Sequence, residues 1–182
     1  MLKSDAVLII FAKTPLHGQV KTRIASVKGK AIARRLAETF ISHTLAKASS
    51  VVMRRYFSEI ELWFTPSSRH PVFLHSKISQ SIRFKQQVGA DLGLRMHYAI
   101  YQALKKHKFA VVIGTDCPSL NSNYIAQSLK ALAKGSDVVF GPAEDGGYVL
   151  IATRVANAQL FRNIAWGGSK VLSKSLENCR RL

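Results

Sequence analysis

The sequence predicts an α/β domain: a three-layer α/β/α sandwich around a mainly parallel, mixed sheet. Three observations lead there. Residues 6–12 and 109–114 are continuous apolar runs with β-branched content, the pattern of strands buried on both faces. Segments with apolar residues three and four apart alternate with such strands, which is the arrangement that right-handed crossovers require. The strands break off into loops carrying charge, glycine and proline, and in parallel sheets the loops at the carboxyl edge hold ligands.

Each element follows from local chemistry. Residues 6–12 form the central strand. The helix after the first loop spans residues 30–47, where Ala33, Ala37, Phe40, Ile41, Leu45 and Ala48 share one face. Residues 59–64 alternate and end before Thr65 and Pro66, so they form a second strand closed by a turn. Residues 69–79 fit neither period. A short strand is expected at 81–87 and a helix over the stripe Leu92, Met96, Ala99, Ile100, Ala103 and Leu104. The strand at 109–114 places Asp116 at its carboxyl end. Asn121 caps the next helix, which carries Tyr124, Ile125, Leu129 and Leu132 and stops at Gly135. Strands at 137–140 and 148–152 flank a glycine-rich loop, and the last forty residues read as helical and polar, with a helix at 170–178.

The chain has 182 residues, 47% of them hydrophobic, which suits one domain over residues 1–182 with a full core. The apolar runs fall far short of the ~20 residues that cross a bilayer. The N-terminus lacks the pattern of a secretory signal, so a cytoplasmic location is expected. Cys117 and Cys179 have no metal-ligand or redox spacing and read as free thiols. The formal charge is +17. It is scattered in small groups, Lys28/Lys30/Arg34/Arg35, Arg54/Arg55, Lys105/Lys106/Lys108 and Arg180/Arg181, without interleaved aromatics, which speaks against a dedicated nucleic-acid surface.

Three loops carry chemistry. The first, FAKTPLHGQVKTR at 11–23, sets Lys13, Lys21 and Arg23 around Gly18, and cations beside a glycine suit phosphate. It has neither Walker A nor GxGxxG spacing, and a basic surface loop explains it equally well. The second, GTDCPSL at 114–120, offers Asp116 as a ligand for a divalent cation or, alternatively, as a turn former. The third, GPAEDGGY at 141–148, brings Glu144 and Asp145 beside paired glycines, or makes a hairpin turn. Their convergence on one sheet edge favours a binding site.

Together with QVGADLGLRM at 87–96, these loops resemble the blocks of the bacterial DUF2064 family, glycosyltransferase-like or selenodomain-associated transferases. That family is similar to the nucleotide-diphospho-sugar transferase superfamily of GT-A fold. The resemblance implies a nucleotide site of Ala12, Lys13, Gly18, Lys21, Thr22, Arg23, Gln87, Gly89 and Asp91. It implies a second-substrate site of Arg95, Gly146, Gly147, Tyr148 and Trp166. Asp116, Asp145 and Lys21 are then the catalytic candidates, and Asp116 the ligand of Mg²⁺ or Mn²⁺. Asp91 also reads as a helix N-cap, and Arg95 as a surface charge. His17 and Ser119 depart from the family pattern, and the metal loop has a single aspartate where many glycosyltransferases carry a DxD pair, which makes Asp145 the candidate second ligand. The chain also stops soon after WGGS at 166–169, earlier than most relatives, which would open the acceptor side.

The implied function is a metal-dependent transferase that binds a nucleotide or nucleotide sugar and passes a glycosyl or nucleotidyl group to an acceptor. The alternative is a non-catalytic basic protein that binds RNA, acidic lipid or another polyanion, marked by steep salt dependence and indifference to Asp116.

Overall fold

The computed structural model describes residues 5–66, 70–74 and 81–181. In chain order the elements are β1 (Ala6–Lys13), α1 (Thr22–Lys28), α2 (Lys30–Ala48), α3 (Val51–Tyr56), β2 (Glu59–Thr65), α4 (Pro71–Leu74) and β3 (Arg83–Gln86). There follow α5 (Leu92–Leu104), β4 (Phe109–Gly114), α6 (Ser122–Ala133), β5 (Val138–Pro142), β6 (Tyr148–Thr153), a 3-10 turn (Ala158–Phe161) and α7 (Val171–Cys179).

The strands form one sheet in the order β3-β2-β1-β4-β6-β5. The first four run parallel, β6 is antiparallel to β4, and β5 is antiparallel to β6. β5 therefore runs in the same direction as β1 and β4, and all three end on one edge. β1 lies at the centre because it is apolar on both faces: Ala6, Val7, Leu8, Ile9 and Ile10 have no exposed surface. Leu8 and Ile10 pack with Ile41 and Leu45 of α2 and Ile125 and Leu132 of α6. Val7, Ile9 and Phe11 face the other way, onto Met96, Ala99 and Ile100 of α5. The pleat thus divides one strand between two cores, giving three layers. Each fully buried Leu or Ile contributes roughly 1.5–3 kcal/mol.

Local signals end the helices where the sequence places them. Asp91 and Asn121 cap α5 and α6, their side chains accepting from Leu94 N and Tyr124 N, each at 2.8 Å. Gly135, at φ 112, follows α6. Two short helices, α1 and α3, add to the expected set. Residues 69–79 hold α4; 67–69 and 75–80 lie outside the described residues. The C-terminal forty residues are less helical than expected: outside the 3-10 turn, residues 154–170 follow an irregular path, and Gly167 adopts φ 87. Among the described residues no helix is long and apolar enough to cross a membrane, and both cysteines are free.

Candidate functional site

The first loop leaves the sheet under tight control. Thr14, fully buried, receives its direction from two bonds: its amide donates to Thr65 O at 2.8 Å and its hydroxyl to Pro66 O at 2.9 Å. The chain then turns through Gly18, at φ 73, and reaches Lys21 in the left-handed region at φ 46, ψ 49. For a residue with a Cβ that conformation is strained, and such positions concentrate at functional sites. It starts α1, since Ile24 N and Ala25 N both donate to Lys21 O. It also sends the Lys21 side chain inward, where the ammonium lies 4.4 Å from the centre of the Phe40 ring and keeps 10% of its side-chain surface exposed.

Asp116 comes from the loop after β4, 95 residues away in sequence, and faces Lys21. Lys21 Nζ donates to Asp116 Oδ1 at 3.0 Å, while the carboxylate remains 78% exposed. The two strand ends are adjacent because β1 pairs directly with β4, Phe11 opposite Gly114. Sheet register, not sequence proximity, builds this pair.

The glycine-rich turn forms the opposite side. Ala143 N donates to Gly147 O, Gly146 N to Ala143 O, and Gly147 N to Asp145 Oδ1 at 3.0 Å. It is a hairpin turn between β5 and β6, and also part of the site. Gly146, at φ 82, lies so close to residue 169 that a Cβ would meet Ser169 O at 1.9 Å. Its carbonyl accepts from Leu172 N at 2.9 Å. The turn is therefore fixed to the start of α7. Trp166 packs edge-on against Tyr148, ring centres 6.4 Å apart, and lies over Gly93, where a Cβ would come within 2.8 Å of its ring. The Tyr148 hydroxyl lies beside Ser175, whose proton is committed to Val171 O at 2.9 Å, and makes no hydrogen bond among the described residues. Burial holds this phenol well above its ordinary pKa.

These loops enclose one cleft of about 870 Å³ at the carboxyl edge. Lys13, Lys21, Thr22 and Arg23 line one side, Ala12 the floor, and Asp116 lies beside Lys21. Asp145, Gly147, Tyr148 and Trp166 line the other side, and Gln87 and Arg95 one end. Four cations face two carboxylates, so the cleft favours a polyanion. The other four expected residues support it from behind. Gly18 shapes the first loop, Gly146 anchors the turn, and Asp91 caps α5. Gly89 O accepts from Arg95 Nε at 2.9 Å, which orients that guanidinium. Gln87 is also held, its amide donating to Trp63 O at 2.9 Å and Ala12 O at 3.3 Å. Among the contributors that sequence reasoning missed are Gln19, Leu92 and Thr65 in the lining, and Phe40 under Lys21. Gln19 lies inside the cationic loop; nothing in the sequence pairs Phe40 with Lys21.

A divalent ion fits the donor set in a limited way. Among the described residues no cluster of three His, Cys, Asp or Glu side chains exists, so no all-protein cage is present. Mg²⁺, however, is commonly held by one or two carboxylates with water and substrate phosphates. Asp116 meets that need, with one oxygen on Lys21 and most of its surface open.

Sheet order and cleft together define the class of nucleotide-diphospho-sugar transferase folds. A protein from Desulfovibrio desulfuricans G20, described as a candidate nucleotide-diphospho-sugar transferase, superposes with a TM-score of 0.85 at 28% identity, covering 98% of this chain and 76% of that one. The chain belongs to the DUF2064 family, described as an uncharacterized protein conserved in bacteria, whose model matches residues 44–168. At the level of fold alone it is similar to a cytidylyltransferase from Leptospira borgpetersenii serovar Hardjo-bovis, with TM-score 0.58, 8% identity and coverage of 98% and 74%. It is likewise similar to a CMP:2-keto-3-deoxy-manno-octonic acid synthetase complexed with CTP, with TM-score 0.56, 11% identity and coverage of 97% and 85%. No curated protein matches the sequence.

Proposed function

We propose that this protein is a metal-dependent transferase that binds a nucleotide or nucleotide sugar in the cleft and transfers a nucleotidyl or glycosyl group to an acceptor. One observation carries the proposal: Lys21 from the first loop meets Asp116 from the β4 loop inside a cleft whose far side is the glycine-rich turn. A phosphate chain seated there would take charge-assisted bonds from Lys13, Lys21 and Arg23. Asp116 would hold Mg²⁺ or Mn²⁺, with Asp145 as the second carboxylate facing the cleft. A divalent ion so held supplies charge stabilisation to the phosphoryl oxygens. The side chains position the reactants, and their fixed cations stabilise the negative charge that grows on the leaving phosphate. Tyr148 and Trp166, half-buried and packed edge-on, offer the acceptor an apolar wall. One neighbour of like fold is complexed with CTP, so CTP heads the screen.

The test is a thermal-shift screen of nucleotides and nucleotide sugars with and without MgCl₂ or MnCl₂, since a ligand of the folded state raises the midpoint. The expected result is a nucleotide-specific rise that metal enlarges. Asp116→Ala is expected to lose the metal increment; retention of that increment would refute the assignment. Polyanion binding that survives Asp116→Ala and falls steeply with salt would instead support the non-catalytic basic protein.

A further inference from the structure

The loop that carries Asp116 is held from beneath by a cation that no motif marks. Lys47 lies in the last turn of α2, half-buried, and its ammonium donates to Pro118 O at 3.0 Å and to Leu120 O. Among the described residues it has no carboxylate partner. Thr115 and Leu120, each 7% exposed, and Cys117, packed against the core, seat the ends of the loop on the sheet, and Lys47 adds its link to α2. Leu120 N donates to Cys117 O at 3.2 Å, and the Cys117 thiol lies 3.3 Å from the Ser119 hydroxyl. Among the described residues the Asp116 carboxylate has one ion-pair partner, Lys21. Carbonyls of residues 118 and 120 converge on one point only if the chain between them is bent around it, so the ammonium sets the curvature of the turn. α2 is itself held to the sheet by buried Ile41, Thr44, Leu45 and Ala48, which makes the anchor rigid.

We infer that Lys47 is a positioning residue for Asp116: it ties the loop after β4 to α2 and so aims the metal-binding carboxylate into the cleft. This rests on the proposed role of Asp116. Removing a group that orients a metal ligand typically lowers metal affinity about tenfold to a hundredfold, even though the group touches neither metal nor substrate.

The experiment measures binding of inorganic tripolyphosphate by calorimetry, with and without MnCl₂, to wild type, Lys47→Met, Lys47→Arg and Asp116→Ala. Amide hydrogen exchange over residues 115–121 accompanies it. Lys47→Met is expected to keep metal-free affinity within about twofold, to lose about tenfold of the Mn²⁺-dependent gain, and to speed exchange in this loop alone. Lys47→Arg, which can still donate to both carbonyls, is expected to recover most of the gain. An equal loss with and without Mn²⁺, or an undiminished Mn²⁺ gain, overturns the inference. If Lys47→Met fails to fold, Lys47→Gln decides on the same split, since a neutral amide can satisfy one carbonyl at most partly. Asp116→Ala separates the two levels. If it keeps the Mn²⁺ gain, the metal assignment fails; if it loses the gain while Lys47→Met keeps it, only the positioning role fails.

Discussion

Replacing Lys21 with Met should move two affinities in opposite directions. In the free protein the ammonium sits 3.0 Å from Asp116 Oδ1 and competes with any cation for that carboxylate. Because Asp116 is 78% exposed, the pair is worth at most about 1 kcal/mol, the range of solvent-screened ion pairs, so its removal should tighten Mn²⁺ binding by up to about fivefold. A phosphate loses more. A hydrogen bond to a charged group is worth about 1.5–3 kcal/mol, so tripolyphosphate affinity should fall roughly 10- to 150-fold. Met keeps roughly the length of the side chain and replaces the cation–π contact with Phe40 by a thioether–aromatic one. Mn²⁺ binding is read from electron paramagnetic resonance of the free ion, and phosphate binding from calorimetry at fixed ionic strength. Weaker Mn²⁺ binding alongside the phosphate loss would show that Asp116 is not the metal carboxylate. Unchanged phosphate affinity would remove the first loop from the site.

Other consequences are equally direct. Gly146→Ala should destabilise the fold by at least about 2 kcal/mol, because the new Cβ meets Ser169 O at 1.9 Å at a backbone φ of 82; a chemical-denaturation midpoint equal to wild type would contradict this. Tyr148→Phe removes a buried hydroxyl that has no partner among the described residues and should raise the melting temperature by a few degrees, corresponding to about 1 kcal/mol. The same variant has a pH signature. Folding raises the Tyr148 pKa above its ordinary 10.0, so its contribution is intact below about pH 10 and is lost as pH climbs from there toward the folded value. Tyr148→Phe should therefore retain stability better than wild type under alkaline conditions, and parallel pH profiles would refute the burial of this group.

Much of the fold is legible because its strands are long apolar runs. β1 and β4 need only their own residues to declare that both faces are covered, and α5 and α6 carry both a stripe and a side-chain cap. α1 is invisible for the opposite reason: none of its residues is buried, so it leaves no periodic trace. The irregular stretch from 154 to 170 is set by contacts with distant glycines, at Gly93 and Gly146, which local pattern does not encode. The candidate site divides the same way. Its loops follow from the rule that ligands gather at strand carboxyl ends, and that rule brings Lys21 to Asp116. The roles behind those loops depend on where long side chains end. Lys47 reads as an ordinary polar position on a helix, and only the packed structure shows its ammonium beneath residues 118 and 120.

The two flanks of the cleft differ in how they are built. A backbone bond from Leu172 N to Gly146 O, with the close approach of Ser169 to Gly146, ties the hairpin turn to the start of α7. The facing flank, α1, sends nothing into either core and joins α2 through Gly29 at φ 88. Loosening it exposes little apolar surface, so among the described residues it opens at low free-energy cost. Ligand capture would thus register as protection of residues 21–28 from solvent exchange, with the tryptophan side staying as it was.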